Sequence, residues 1–189
     1  MPKRASTKTV IVVSGPPGAG STSVAKEVAK KLKLRYFSVG KIQKGFGKSK
    51  KEGKSSLEVW RKKYGTTKEF HENVLDAPQI EEAKKGNVVI NSKLGIHFLK
   101  DLSDKKIWLD VPLKVRAQRT AERDKISCFR ALKEIREREK IERREWRSIY
   151  GFDYFDLKKS ADFVLDSSNL KLEQTVRRIV EFVKSRKSS

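Results

Sequence analysis

Cysteine is almost absent from this chain. Cys128 stands alone among 189 residues, so no disulfide can close within the chain and no cluster of thiolates can bind a metal. Histidine is equally scarce, with only His71 and His97, which leaves little material for a zinc site. Long apolar runs are missing too. None approaches the roughly 20 residues of a membrane span. Behind the basic segment Met1–Lys8, the stretch Val10 to Val13 is shorter than the roughly 7–15 apolar residues of a secretory leader. A cytoplasmic protein with no membrane partner is the expectation. Acidic side chains are outnumbered, 24 against 45 Lys and Arg, for a net charge of +21. That sign favours polyanionic partners, meaning nucleotides, RNA or DNA, although lysines that only keep a surface soluble would produce the same composition.

The hydrophobic fraction, 37%, is modest but enough for one core, and the length suits one α/β domain over residues 1–189 with a small mobile insertion. Nothing calls for a second subunit, so a monomer is expected. A short β-branched run, Lys8 to Val13, ends at Ser14-Gly15 and reads as a buried first strand. Ser21 or Thr22 is placed to cap a helix carrying Val24, Ala25, Val28, Ala29 and Leu32 on one face. Further strands are expected at Arg35–Val39, Asn87–Ile90, Lys106–Val111 and Ala161–Leu165, with helical stretches between them. A last helix over Leu172–Lys184 aligns Leu172, Val176, Ile179, Val180 and Val183, and the polar tail after it is expected to fray. Short apolar strands alternating with helices argue for βαβ units and a parallel sheet covered on both faces.

Two segments do not read as ordinary sheet-covering helices. Lys41–Lys63 holds nine Lys or Arg against two Glu, and Lys114–Arg147 holds thirteen basic against seven acidic residues. The second is helical with few apolar anchors, so it is expected to project from the core or close over something; a solvated helix laced with i,i+4 ion pairs is the plainer alternative.

Between the first strand and the first helix lies Gly15-Pro16-Pro17-Gly18-Ala19-Gly20-Ser21-Thr22, followed by Ser23. Glycines in such a bend let backbone N–H groups turn toward phosphate oxygens, and the helix N-terminus adds positive potential behind them. Gly15, Gly20 and Thr22 satisfy the P-loop pattern G-x-x-x-x-G-K-[ST], but Ser21 occupies the lysine position. That lysine normally reaches the β- and γ-phosphates, so another cation must take its place if phosphoryl transfer occurs. Thr22 is the first choice for a hydroxyl ligand to Mg²⁺, and Ser23 the second.

With this loop in place, several ordered segments resemble the archaeal-type cytidylate kinases. They are Ser14 to Ala25, Phe37-Ser38-Val39-Gly40-Lys41-Ile42, Asn87-Val88-Val89-Ile90, Ile107 to Ala117, Ile135-Arg136-Glu137-Arg138-Glu139, and Tyr150-Gly151-Phe152-Asp153 with Asp156-Leu157. The match runs from about Val10 to Val183, and a hydroxyl residue at the lysine position of the loop is itself similar to a family trait. The resemblance implies an α/β P-loop NTPase fold: a five-stranded parallel sheet with helices on both faces, an acceptor-nucleotide insertion at about 41–80, and an Arg-rich helical lid at about 114–150. It implies ATP-dependent, Mg²⁺-dependent phosphorylation of a nucleoside monophosphate, CMP or dCMP.

By the same resemblance, residues 15–23 would bind ATP, and Lys41, Lys44, Lys93 and Asp76 would bind the acceptor. Arg116, Arg119, Arg123, Arg138, Arg143 and Arg144 would form the hinge and lid, with Arg138, Arg143 and Arg119 as the catalytic arginines. Forked guanidiniums suit the charge that spreads over a phosphoryl group in flight.

The sequence departs from the family at the acceptor side. Asn91-Ser92-Lys93 stands where the family has Glu-Gly-Arg, Lys41 where an acidic residue is usual, and Glu72 to Pro78 where it has Asp-Arg-x-x-Asp-Arg-Arg. Pro78 is expected to interrupt any helix through that point. Asp110 reads as a turn residue rather than a metal-orienting carboxylate. His71, His97, Trp60, Trp108 and Trp146 read as packing residues, with Trp60 among basic neighbours also suited to stacking a base. One alternative stays open here: a degenerate or redirected P-loop protein that binds RNA or a ribonucleoprotein through its basic surface.

Overall fold

The structure is a computed structural model that describes residues 8–47 and 57–185, apart from the side chains of residues 63 and 64. Of the basic segment, Lys48, Lys50, Lys51, Glu52 and Lys54 lie outside the described residues, as do residues 186–189 of the tail.

Five parallel strands form one sheet: β1 (Val10–Ser14), β2 (Arg35–Ser38), β3 (Val88–Asn91), β4 (Lys105–Asp110) and β5 (Phe163–Asp166), in the order β2-β3-β1-β4-β5. Each parallel link requires a crossover, and helices supply it. They are α1 (Ser21–Leu32), α2 (Val39–Gly45), α3 (Ala77–Lys85), α4 (Gly95–Phe98), α5 (Leu113–Asp124), α6 (Cys128–Tyr150) and α7 (Leu172–Lys184). The strands agree with the sequence reading to within two residues at each end.

Successive residues of β1 point to opposite faces and feed different cores. Ile11 and Val13 pack with Val24, Ala25 and Val28 of α1 and with Val176 and Ile179 of α7. Val10 and Val12 pack with Ile96 of α4, Ala83 of α3 and Trp146 of α6. Val28 and Ile11 have no exposed surface, and removing such a side chain costs about 2–5 kcal/mol when the gap cannot close. A third cluster, Ala117, Ala121, Ala131 and Ile135, joins α5 to α6. The charged stretch is thus two helices packed on each other and on the sheet, not one projecting arm.

Pro78 does not break the chain's helical path. A short α turn, Lys68–Phe70, runs into a π segment, His71–Asp76, and then into α3 with Pro78 in its first turn. The first turn of a helix needs no N–H from proline, and the wider π turn ahead of it absorbs the change of winding.

Candidate active site

β1 hands over to α1 through residues 15–20. Gly18 and Gly20 carry φ of 81° and 90°, left-handed values that favour glycine. At Gly18 a Cβ would also stand 2.9 Å from Thr120 Oγ1 and 3.0 Å from the Arg116 carbonyl, so α5 leaves no room for a side chain. Neither Ser21 nor Thr22 caps α1. Gly20 occupies the cap position, and no side chain accepts from the first N–H groups. A side-chain cap would consume the donors that an anion needs, so the uncapped start preserves the anion-binding end of the helix.

The bend is held from behind by arginines of α5. Arg116 is buried and donates to the Pro17 carbonyl at 2.9 Å, the Val111 carbonyl at 2.8 Å and Glu139 Oε1 at 2.5 Å. Arg119 donates to the Ala19 carbonyl at 3.3 Å and the Ser167 carbonyl at 2.5 Å, and burial lowers its pKa from the ordinary arginine value. A cavity of about 330 Å³ opens in front, lined by residues 16–24 together with Lys93, Arg119 and Arg123. Of the predicted loop residues only Gly15 lies off this cavity; it is packed beneath, against Leu109.

A second cavity, about 310 Å³, adjoins the first. Ser21, Thr22 and Lys93 line both. The second cavity brings together Lys41, Lys44, Lys93 and Asp76, four residues spread over 53 positions of sequence, and adds Arg138. α2 supplies Lys41 and Lys44, the π segment supplies Asp76, and the turn after β3 supplies Lys93.

A buried charge cluster reaches both cavities through Lys93. Glu142 has no exposed surface; Lys93 Nζ approaches its two oxygens at 2.6 and 2.5 Å, and Arg138 Nε donates to it at 2.8 Å. Burial alone would raise the Glu142 pKa, but Arg138 and Lys93 hold it below the usual range. Asp76 is different. Burial pushes its pKa up to about 6, against the opposing pull of hydrogen bonds from Tyr150 Oη and from Gln79 Nε2 at 3.2 Å.

Arg143 is not brought to either cavity. It lines an outer groove with Arg136, Lys140, Arg144 and Arg147, and its guanidinium donates to Asp153 at 2.8 and 2.5 Å. The helical period explains the split: Arg138, Glu142 and Trp146 share the buried stripe of α6 at i, i+4, i+8, and Arg143 is turned about 100° away from it, onto an exposed flank.

At the edge of β3, Asn91 Nδ2 donates to Thr22 Oγ1 at 3.0 Å. Among the described residues no three His, Cys, Asp or Glu gather as a metal cluster. A single hydroxyl suits Mg²⁺, which keeps several waters and takes most other ligands from phosphates. Asp110 pairs with Lys158 at 2.6 Å on the surface, in keeping with a turn residue.

Both histidines, which the sequence left isolated, have aromatic neighbours. His71 stacks on Trp60 at 4.8 Å and 25°, donates Nε2 to the Gly65 carbonyl at 2.9 Å, and is pushed to a lower pKa by burial. Trp60 is therefore spent on packing rather than left open for a base. His97 packs on Phe152.

Sequence reasoning passed over Gln43, Gln79, Tyr36 and Trp146 as cavity residues. Glu142 was also missed, although its spacing from Arg138 and Trp146 carried the signal.

The profile of the Cytidylate kinase-like family matches residues 10–169. The cytidylate kinase of Pyrobaculum calidifontis is 37% identical over 174 residues, 92% of each chain. That of Staphylothermus marinus is 34% identical over 92% of this chain and 96% of its own. That of Pyrococcus horikoshii is 40% identical over 85% of this chain and 81% of its own. Among solved structures, a shikimate kinase from Bacteroides thetaiotaomicron superposes with a TM-score of 0.61 at 21% identity, covering 94% of this chain and 99% of that one. An uncharacterized protein from Eubacterium ventriosum gives 0.64 at 15% identity over the same shares, so both agree on the fold. The comparisons lend no support to the RNA-binding alternative. With a profile match over most of its length and relatives of this similarity, the chain belongs to the cytidylate kinase-like family.

Proposed function

We propose that this chain transfers the γ-phosphoryl group of ATP to a nucleoside monophosphate, CMP or dCMP, with the donor phosphates in the loop cavity and the acceptor in its neighbour. The observation that carries this reading is the meeting of the two cavities at Ser21, Thr22 and Lys93. In-line transfer needs donor and acceptor phosphates to face each other across a short gap, inside a site that keeps water out.

The backbone amides at the head of α1 would hold the donor phosphates. Lys93, shared by both cavities, would supply the charge that Ser21 lacks. Arg138 would serve the acceptor phosphate from the second cavity, and Arg119 would serve the donor from the first. Lys41 and Lys44 would draw the monophosphate in. Thr22 would hold Mg²⁺ arriving with ATP, and that ion neutralises charge developing between the β- and γ-phosphates. Arg143, turned toward Asp153, could act only after a closing movement of α5 and α6.

The test is ATP turnover in the presence of Mg²⁺ and each of CMP, dCMP, UMP, AMP and GMP. ADP formation stimulated by a pyrimidine monophosphate, and reduced at least about 10²-fold by Arg138→Ala, is the expected result. No stimulation by any of the five would end the kinase reading.

A further inference from the structure

Seven buried side-chain atoms have no hydrogen-bond partner among the described residues, and four of them belong to residues that line the acceptor cavity: Tyr36 Oη, Gln43 Nε2, Gln79 Oε1 and Trp146 Nε1. Buried polar atoms left unpaired cost stability, so four around one cavity mark where a ligand supplies the missing bonds. The amide nitrogen of Gln43 and the indole nitrogen of Trp146 can only donate, and the Tyr36 hydroxyl can do either. Gln79 Oε1 alone of the four can only accept.

Its orientation is locked. Gln79 has no exposed surface, and its Nε2 lies 3.2 Å from Asp76 Oδ1 and 3.5 Å from the Leu75 carbonyl, two groups that only accept at pH 7 and above, where the Asp76 carboxyl is ionised. Flipping the amide would set its oxygen against both. Asp76 is itself fixed by the hydroxyl of Tyr150. The amide therefore cannot turn to offer an N–H to a ligand carbonyl.

Pyrimidine bases differ at this point. Cytosine carries an exocyclic amino group at C4, a donor, where uracil carries a carbonyl oxygen, an acceptor. We propose that Gln79 selects cytosine over uracil in the acceptor cavity, its locked amide oxygen accepting a hydrogen bond from the 4-amino group, with Asp76 and Tyr150 as positioning residues. The inference rests on the acceptor reading above and adds the group that reads the base. Uracil leaves two oxygens face to face and the buried acceptor unpaired, a mismatch that hydrogen-bonding sites reject far more strongly than a missing methylene.

The experiment measures kcat/KM for CMP, UMP and a CMP analogue with hydrogen in place of the 4-amino group, in the unaltered protein and in Gln79→Met. Methionine keeps the length of the side chain and removes the acceptor. The unaltered protein is expected to favour CMP over both other acceptors by at least about tenfold. In Gln79→Met, CMP should fall to the level of the analogue, whose own value moves less than about threefold, while UMP, relieved of the facing oxygen, should not fall. Equal use of CMP and the analogue by the unaltered protein overturns the proposal, whether or not the variant folds. A CMP preference that survives in Gln79→Met overturns it as well. In both of those results phosphorylation itself persists, so the kinase reading stands; turnover with no monophosphate at all would remove that reading and this one together.

Discussion

Asp76→Asn should make the protein less sensitive to pH between 4 and 7, and the sign is opposite to ordinary acid destabilisation. The Asp76 carboxyl is buried, and that burial lifts its pKa from 3.8 to about 6 in the folded state. A raised folded pKa means that the native state holds the proton more tightly than the unfolded chain does. The stability it contributes is therefore complete below the unfolded value near 3.8 and is lost as pH rises through about 6. The shift is roughly two units, and at about 1.4 kcal/mol each the loss comes to roughly 3 kcal/mol. Asparagine fills the same space, carries no proton to lose, and does not show this loss.

Other carboxylates run the other way. Glu82, Asp153 and Asp166 have lowered folded pKa values, from bonds to Lys85 and Arg35, to Arg143, and to Ser168 respectively, with burial opposing the shift at Asp153. Their contributions are present above the unfolded values and disappear as pH falls, but they are common to both proteins and cancel in the difference. Urea unfolding of both proteins in half-unit steps from pH 4 to 7.5 isolates the Asp76 contribution. The stability of the unaltered protein minus that of Asp76→Asn should fall by roughly 2–3 kcal/mol across the series. A flat difference, or one that rises with pH, would refute the reasoning, because either result means that the carboxyl is not held in a desolvated site.

Two further perturbations test the loop and the charge cluster. Gly18→Ala and Gly20→Ala impose the same left-handed backbone on a side chain, but only the first adds a clash, with Thr120 and the Arg116 carbonyl; nothing lies within 4 Å of a Cβ at Gly20. Both should lose about 1–2 kcal/mol from strain, and Gly18→Ala clearly more than Gly20→Ala, as thermal or urea unfolding would show; equal losses would mean that α5 does not press on the loop. Glu142→Gln leaves Lys93 and Arg138 without their carboxylate, and breaking a buried ion pair costs about 3–5 kcal/mol. The lower end is expected because Lys93 is partly exposed, and a loss under about 1 kcal/mol in urea unfolding would contradict a buried counter-charge.

The sheet was legible because its strands are short and largely apolar, with β1 and β3 β-branched and buried throughout, so apolar runs and intervening helices gave their number and near limits. The bend between β1 and α1 was legible because glycines gathered at a strand–helix junction announce a tight, left-handed turn. What stayed hidden depended on facing. The stretch 114–147 reads as charge throughout, yet the 3.6-residue period sends Arg138, Glu142 and Trp146 inward and Arg143 outward. Gln79 gave no signal at all: a neutral amide on a mostly polar helix looks like surface, and only the Asp76 carboxyl beside it reveals which end of the amide is held.

Topology also explains how a loop without its lysine keeps a cation at hand. β3 lies directly beside β1, with Val13 in register with Asn91. Residues that continue past Asn91 therefore run alongside those that leave Ser14 for the loop, and the Ser92 carbonyl accepts from Ser14 Oγ at 2.5 Å. Lys93, the next residue, emerges level with the start of the bend, where its long side chain lines both cavities. A cation at position 21 would ride on the first turn of α1; one at position 93 reaches the same junction from the neighbouring strand, at the expense of tying itself to Glu142. That tie gives the charge a fixed seat, since an ammonium on four flexible methylenes loses less freedom on meeting phosphate when it is already anchored.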